Sequence, residues 1–234
     1  MTVKLPLDLS GSALTLYGYW RSSATWRART GLELRAVPYT YVPVHLVRDG
    51  GEQNSAEFLR RNPLGQVPVL EWTVAGVPHR LTQSLAILEW IDDVATTGSA
   101  LRPADPFARA RARQLAEMVN AGIQPFQNLW LTKTINEAGA DGRSIGATAI
   151  GKGLDAIEAE LGADLPAVAR PGRWMVGDAP SIADICLIPQ LYNARRFGFS
   201  MDRWPRLAAI EAVAAEHPAF QRAHPDQQPD AVTA

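Results

Sequence analysis

The sequence has little of what several protein classes require. Its 234 residues include a single cysteine, Cys186, which excludes an intramolecular disulfide and a cysteine-rich metal site. No apolar run approaches the roughly 18 residues of a membrane span, and residues 1–20 lack the apolar stretch of a signal peptide. Positive charge is not in excess, because 23 Lys and Arg stand against 24 Asp and Glu. We therefore expect a cytoplasmic protein that binds neither nucleic acid nor a membrane.

Motifs of several enzyme classes are missing as well. His45, His79, His217 and His224 do not have the spacing of metal ligands, so no metal site is predicted. There is no G-x-S-x-G elbow and no P-loop, which disfavours a serine hydrolase or a nucleoside triphosphatase. Cys186 lies in the apolar segment SIADICLIP with no cation beside it, which favours a buried structural cysteine over a nucleophile.

The first half of the chain alternates between strand and helix patterns. Strands are predicted at 14–19, 40–47, 69–73 and 77–81, the last two joined as a hairpin by Ala75 and Gly76. A helix with a narrow face of small residues begins at Ser22 or Ser23, a short helix covers 55–60, and a third begins with Ser84 as its cap. The order β-α-β-α-β-β-α indicates a thioredoxin-like domain over residues 13–94.

The second half reads almost entirely as helix. Helical patterns cover about 106–137, 145–162, 181–197 and 204–216, and Pro103 and Pro106 mark the linker before them. Ser181 and Asp184 have the S-x-x-D spacing of a capping box, which predicts a helix start there. We therefore expect an α/β thioredoxin-like N-terminal domain followed by an all-α C-terminal domain over residues 104–225.

Two predicted helix starts in the first domain have the chemistry of an anion site. Arg21, Ser22 and Ser23 open the first helix, and Gln83 and Ser84 open the last one. The free N–H groups and the positive dipole end of a helix attract a carboxylate or a thiolate. A short acidic peptide with a reactive group near Ser22 would suit the pair of helix starts.

The segment Gln66-Val67-Pro68 enters the hairpin between these two helix starts. A proline at a strand entrance lacks its own ladder donor, so the Val67 backbone is able to pair with an extended peptide ligand. The alternative interpretation is that these three residues form a simple turn, and their spacing alone favours the turn.

Several segments, in order along the chain, resemble signature stretches of one family, the zeta-class glutathione transferases or maleylacetoacetate isomerases. They are 21–29 (RSSATWRAR), 62–68 (NPLGQVP), 83–87 (QSLAI), 121–129 (AGIQPFQNL), 183–190 (ADICLIPQ) and 193–197 (NARRF), with 217–220 (HPAF) and 228–230 (QPD) near the end. The matches extend over about residues 14–230. The resemblance implies a glutathione transferase fold and a homodimer. It also implies that glutathione acts as a cofactor in the cis–trans isomerisation of maleylacetoacetate to fumarylacetoacetate, with glutathione transferase activity as a secondary activity.

The resemblance also implies roles for single residues. Ser22, supported by Ser23, would donate a hydrogen bond to the glutathione thiolate, while Arg196 and Arg21 would hold the carboxylates of a small dicarboxylate keto acid. Glutathione itself would be bound by a second set of residues: Gln66, Val67, Pro68, Gln83, Ser84 and Gln124. The peptide bond between Val67 and Pro68 would be cis. Gln124 would come from the helical domain of the same or the partner subunit.

The assignment of Ser22 agrees with the size of the effects. A free thiol has a pKa of about 8.5, and lowering this pKa by about 2 units requires roughly 2.7 kcal/mol in favour of the anion. A helix terminus contributes up to about 2 kcal/mol and a hydroxyl bonded to a charged atom about 1.5–3 kcal/mol. The two together suffice, whereas neither does so comfortably alone.

The sequence departs from the family pattern in its first signature stretch. Ala24 stands where the family has cysteine and Thr25 where it has serine, which excludes disulfide exchange through that position. Residues 137–148 do not align with the family. Three other functions stay open: a maleylpyruvate isomerase, a general glutathione transferase or dehalogenase, and a binding protein without turnover.

Overall fold

The computed structural model describes residues 14–232, which form two compact units. One, called here the sheet unit, comprises residues 14–101 and 217–232. The other, called the helical unit, is residues 102–216. Residue 13, the predicted start of the first domain, lies outside the described residues. No helix in the described part of the chain is long and apolar enough to cross a membrane.

The sheet unit has the predicted thioredoxin-like order. Its elements before the linker are β1 (Leu14–Gly18), α1 (Ser23–Leu34), β2 (Tyr39–Pro43), α2 (Ala56–Arg61), β3 (Val69–Val74), β4 (Val77–Thr82) and α3 (Ser84–Val94). The strands are arranged in the order β2-β1-β3-β4. β1 is parallel to β2 and antiparallel to β3, and β4 is antiparallel to β3. This confirms the fold class predicted for the first half of the chain.

The small face of α1 lets two helices approach closely on the sheet. Ala28 and Leu32 are fully buried in the same core as Leu16 and Ile87. A Cβ added to Gly31 would lie 2.2 Å from Cδ2 of Leu88, so a side chain at position 31 would force Leu88 to move away from its place between α1 and α3. The narrow face predicted for α1 therefore fixes the relation of the two helix starts that matter for the site.

The helical unit is built from five longer helices. They are α4 (Pro106–Asn120), α5 (Leu129–Glu137), α6 (Gly142–Leu161), α7 (Ile182–Arg196) and α8 (Pro205–Glu216). α7 is buried along almost its whole length, and it begins with the predicted capping box of Ser181 and Asp184. The Asp184 carboxylate accepts from the N–H of Met175 at 2.8 Å as well, which ties the preceding loop to the helix start.

Two predicted elements are shorter than the sequence indicated. The helix expected over 106–137 ends at Asn120, and a short 3-10 helix, Gln124–Gln127, precedes α5. Pro125 explains the break, because proline has no N–H and restricts the residue before it. The strand expected over 40–47 ends at Pro43, which is paired with Gly18, the last residue of β1.

The end of the chain belongs to the sheet unit. We call residues 217–232 the C-terminal strap; it contains α9 (Pro218–Ala223). Arg29 of α1 donates from Nε to the carbonyl of Ala223 at 3.1 Å, and Arg222 donates from Nε to Oε2 of Glu33 at 2.6 Å. The sequence placed residues 217–225 in the helical domain, whereas these contacts attach them to α1. A helical pattern alone does not reveal which unit a terminal segment joins.

Candidate active site

Ser22 caps the first helix of the sheet unit. Its backbone is extended, at φ -67° and ψ 120°, and its Oγ accepts from the N–H of Thr25 at 3.3 Å. The cap uses only an acceptor of the hydroxyl, so its proton remains able to donate to an anion. The first turn of α1 contains no acidic residue, which preserves the positive potential of the 12-residue helix at this end.

Ser23 and Arg21 flank Ser22 at the same helix end. Ser23 is the first residue of α1, and the N–H of Ser22 donates to the carbonyl of Tyr19 at 3.0 Å, which closes a turn. The Arg21 guanidinium carbon lies 5.1 Å from the centre of the Trp20 ring, so a cation rests on an aromatic face beside the helix start. Arg21, Ser22 and Ser23 thus follow one another directly at the start of α1.

The start of α3 has a different capping residue from the predicted one. Gln83 occupies the cap position, with φ 68°, and its side chain makes no capping hydrogen bond. A non-glycine residue with this φ costs about 1–3 kcal/mol and is typical of ligand-binding positions. Ser84 is instead the first helical residue, so its expected role as the cap is wrong. Its hydroxyl has another partner.

Arg27 connects the two helix starts. It lies on α1, is fully buried, and its Nη1 donates to Oγ of Ser84 at 3.4 Å. A buried guanidinium beneath the start of α3 adds positive potential to that of the helix end, which favours a carboxylate there. Arg27 was not among the site residues predicted from the sequence. The available signal was a charged residue on the apolar side of a predicted helix.

The segment before β3 is shaped by Asn62. This buried side chain donates from Nδ2 to the carbonyl of Gln66 at 2.7 Å and accepts at Oδ1 from the N–H of Leu64 at 3.1 Å. The bond between Val67 and Pro68 is cis, as predicted. Val67 is half-buried and leads directly into β3, an inner strand of the sheet.

A chain of amide side chains runs through the helical unit. Gln127 donates from Nε2 to Oε1 of Gln190 at 2.8 Å and accepts at Oε1 from Nδ2 of Asn193 at 3.1 Å. Gln124, the predicted ligand residue, begins the 3-10 helix and donates from Nε2 to Oδ1 of Asn128 at 3.4 Å. Gln127 lies in the stretch 121–129 that resembles the family but was not predicted as a site residue.

This amide chain ends at Arg196, the last residue of α7. Arg196 is exposed, and its Nη1 donates to Oδ1 of Asn193 at 3.3 Å. Its neighbour Arg195 is paired instead with both carboxylate oxygens of Glu211. The amide chain therefore orients one guanidinium, while a carboxylate neutralises the other. The role of Arg196 in binding an anion stays a prediction.

The structure leaves the protein without an accessible thiol. Cys186, the only cysteine in the sequence, is completely buried in α7. Ala24, in the position of the family cysteine, is half-buried in the first turn of α1. Within residues 14–232, no group of three or more His, Cys, Asp or Glu side chains is arranged to hold a metal ion. A thiol reaction at this site needs a thiol from a ligand.

Comparisons with known proteins agree with this fold and geometry. Residues 12–93 match the family model of the glutathione S-transferase N-terminal domain, and residues 77–210 match that of the C-terminal domain. The chain is 38% identical over 220 residues to the maleylacetoacetate isomerase of Pseudomonas aeruginosa, covering 93% of this chain and 98% of that protein. It is 40% identical over 221 residues to the maleylpyruvate isomerase of a Ralstonia species, covering 93% and 99%.

A solved structure gives the same result. The maleylacetoacetate isomerase of Anaeromyxobacter dehalogenans, crystallised with glutathione in its active site, has a TM-score of 0.84 and 44% identity over 94% of this chain and 99% of that one. The family models, the extent of the sequence matches and the shared fold agree. The chain therefore belongs to the glutathione S-transferase family, and within it to the zeta class of maleylacetoacetate isomerases and their relatives.

Proposed function

We propose that the protein is a glutathione-dependent cis–trans isomerase that converts maleylacetoacetate to fumarylacetoacetate. The observation that carries this proposal is Ser22, which caps α1 through its oxygen and keeps a hydroxyl proton for a thiolate. The relatives with this activity span almost the whole chain, and one of them binds glutathione in its active site.

The residues of the sheet unit fit glutathione. The tripeptide carries carboxylates and a thiol, and the sheet unit offers one helix start with a serine hydroxyl and a second with Ser84 above the buried Arg27. We assign the γ-glutamyl end to Gln83 and Ser84, and the cysteinyl backbone to Val67, positioned by Gln66 and Pro68. Gln124, from the helical unit of the same or the partner subunit, is assigned a further amide contact with this ligand.

Glutathione, when bound, supplies a thiolate that adds reversibly to the cis double bond and so permits rotation before elimination releases the trans product. The protein's own residues stabilise the negative charge of the thiolate and of the substrate carboxylates. The Ser22 hydroxyl donates a hydrogen bond to the sulfur, with Ser23 in support, and the dipole of α1 favours the anion. Arg196, oriented by Asn193, and Arg21 hold the carboxylates of the substrate with forked guanidinium donors.

We also propose a homodimer that works in the cytoplasm in the breakdown of aromatic amino acids such as tyrosine. Burial of exposed apolar side chains such as Leu64, Phe107 and Trp130 against a second copy would stabilise such a dimer. The need for a reduced thiol supports a reducing compartment. Light scattering during size-exclusion chromatography tests the oligomeric state: a mass near twice 25.5 kDa is expected, and a monomer would contradict it.

A second candidate substrate is maleylpyruvate, because a relative with 40% identity over nearly its full length is a maleylpyruvate isomerase. The two reactions use the same thiolate and the same carboxylate-binding groups. A spectroscopic assay should compare both substrates side by side, each with and without glutathione. We expect turnover to require glutathione and to be faster with maleylacetoacetate. Faster turnover of maleylpyruvate would move the assignment to that substrate, and no isomerisation of either would refute the proposal.

A further inference from the structure

Both backbone polar groups of Trp20, in the turn that precedes Ser22, form hydrogen bonds with side chains. The N–H of Trp20 donates to Oδ2 of Asp230 at 3.0 Å, and its carbonyl accepts from Nη2 of Arg29 at 2.8 Å. Trp20 is buried and lies inside the turn that the N–H of Ser22 closes on Tyr19. Both polar groups of this peptide segment are therefore fixed two residues before Ser22.

Both partners of Trp20 are connected to the C-terminal strap. Asp230 belongs to the strap, 210 residues along the chain from Trp20, and its Oδ2 also accepts from the hydroxyl of Tyr41 at 3.2 Å. Arg29 is fully buried on α1 and donates from Nε to the carbonyl of Ala223, in α9 of the strap. One end of the chain thus holds the turn through a carboxylate and through a guanidinium.

The charges in this cluster support one another. Burial lowers the pKa of the Arg29 guanidinium, and the Asp230 carboxylate opposes that effect. Burial also raises the pKa of Tyr41 well above its usual range, so its hydroxyl stays protonated and continues to donate to Asp230. The Arg29 guanidinium, the Asp230 carboxylate and the neutral Tyr41 hydroxyl thus lie together around the backbone N–H and C=O of Trp20, which favours a single geometry of the turn.

We propose that Asp230 and Arg29 are positioning residues, which fix the Tyr19–Ser22 turn so that the Ser22 hydroxyl meets the thiolate. This inference rests on the proposed role of Ser22 in thiolate stabilisation. Asp230 and Arg29 then affect catalysis through the position of the Ser22 hydroxyl, and not through contacts of their own with glutathione or substrate. A misplacement of Ser22 by a fraction of an ångström weakens a hydrogen bond that matters most in the charged state.

The test uses the full-length protein and two measurements, the pKa of the bound glutathione thiol and the kinetic constants for the isomerisation. Asp230→Ala removes the acceptor of the Trp20 N–H, and we expect the thiol pKa to rise and kcat to fall by about tenfold, with a smaller change in the KM for glutathione. Asp230→Asn retains a carbonyl acceptor and should restore part of the loss. Asp226→Ala, which alters an exposed residue of the same strap, should leave both measurements unchanged.

A double-mutant cycle with Ser22→Ala separates positioning from general damage. If Asp230 acts through Ser22, Asp230→Ala has no further effect on the thiol pKa once the Ser22 hydroxyl is gone. An equal pKa rise in both backgrounds, or an unchanged pKa in Asp230→Ala, would overturn the inference. If Asp230→Ala does not fold, Tyr41→Phe and Asp230→Asn, which keep the Trp20 acceptor, give the same cycle with a smaller expected shift. If Ser22→Ala alone changes nothing, the proposed role of Ser22 fails, which is a different result.

Discussion

Replacing Ser22 with alanine removes two hydrogen bonds that have separable consequences. The hydroxyl caps α1 by accepting from the N–H of Thr25 at 3.3 Å, and by our proposal it donates to the thiolate of bound glutathione. The loss of an N-cap costs about 0.5–2 kcal/mol of stability. The loss of a hydrogen bond to a charged sulfur costs the anion about 1.5–3 kcal/mol, which corresponds to a rise of about 1 to 2 units in the thiol pKa.

Ser55 provides the matched control for this variant. It caps α2 in the same sheet unit by accepting from the N–H of Phe58 at 3.1 Å, and it is exposed. Ser55→Ala should therefore reduce stability by a similar amount and leave the thiol pKa alone. The difference between the two variants isolates the effect of the Ser22 hydroxyl on the thiolate from the effect of a lost cap.

The assay is a pH titration of the ultraviolet absorbance of the thiolate in protein saturated with glutathione, together with chemical denaturation of each variant. We expect Ser22→Ala to shift the titration upward by about 1 to 2 units, and the pH profile of kcat to shift with it. A titration that is the same in Ser22→Ala, Ser55→Ala and the parent protein would refute the assignment of Ser22, whatever the loss of stability.

Further predictions concern both units. Arg196→Ala should raise the KM for the substrate with little effect on that for glutathione, whereas Arg195→Ala, which breaks an exposed ion pair with Glu211, should change neither; equal effects would count against the choice of Arg196. Ser84→Ala should weaken glutathione binding by about tenfold and leave the thiol pKa nearly unchanged, as isothermal calorimetry and titration can show. Burial raises the pKa of Asp184 to about 6, against about 3.9 in an unfolded chain, so the native state binds this proton more tightly. Its contribution to the free energy of unfolding should fall by about 3 kcal/mol as pH rises from about 4 to about 6, and Asp184→Asn should lack that slope in urea titrations.

Local patterns predicted most of the fold. The alternation of buried residues in β1 and the small face around Ala28 and Gly31 identified the elements that carry the site. The S-x-x-D spacing located the start of α7. Such features depend on neighbouring residues, which the sequence displays directly. The break at Pro125 was also visible, but the apolar pattern around it suggested one continuous helix.

Contacts between residues far apart along the chain could not be predicted from the sequence. The bond of Arg27 to Ser84 joins positions 57 residues apart, and the bond of Trp20 to Asp230 joins positions 210 apart. Nothing in either local pattern specifies its partner. The positive φ of Gln83 was hidden for a similar reason, because a non-glycine residue gives no sign that the surrounding structure holds it in that conformation.

The central claim is that glutathione, and no thiol of the protein, performs the isomerisation, since Cys186 is buried and Ala24 replaces the family cysteine. The most direct test compares glutathione with S-methylglutathione, which keeps the peptide and blocks the sulfur, in the assay with maleylacetoacetate. We predict that glutathione supports turnover, that S-methylglutathione does not, and that S-methylglutathione inhibits competitively with glutathione. Isomerisation supported by S-methylglutathione, or by the protein without any thiol, would contradict the account.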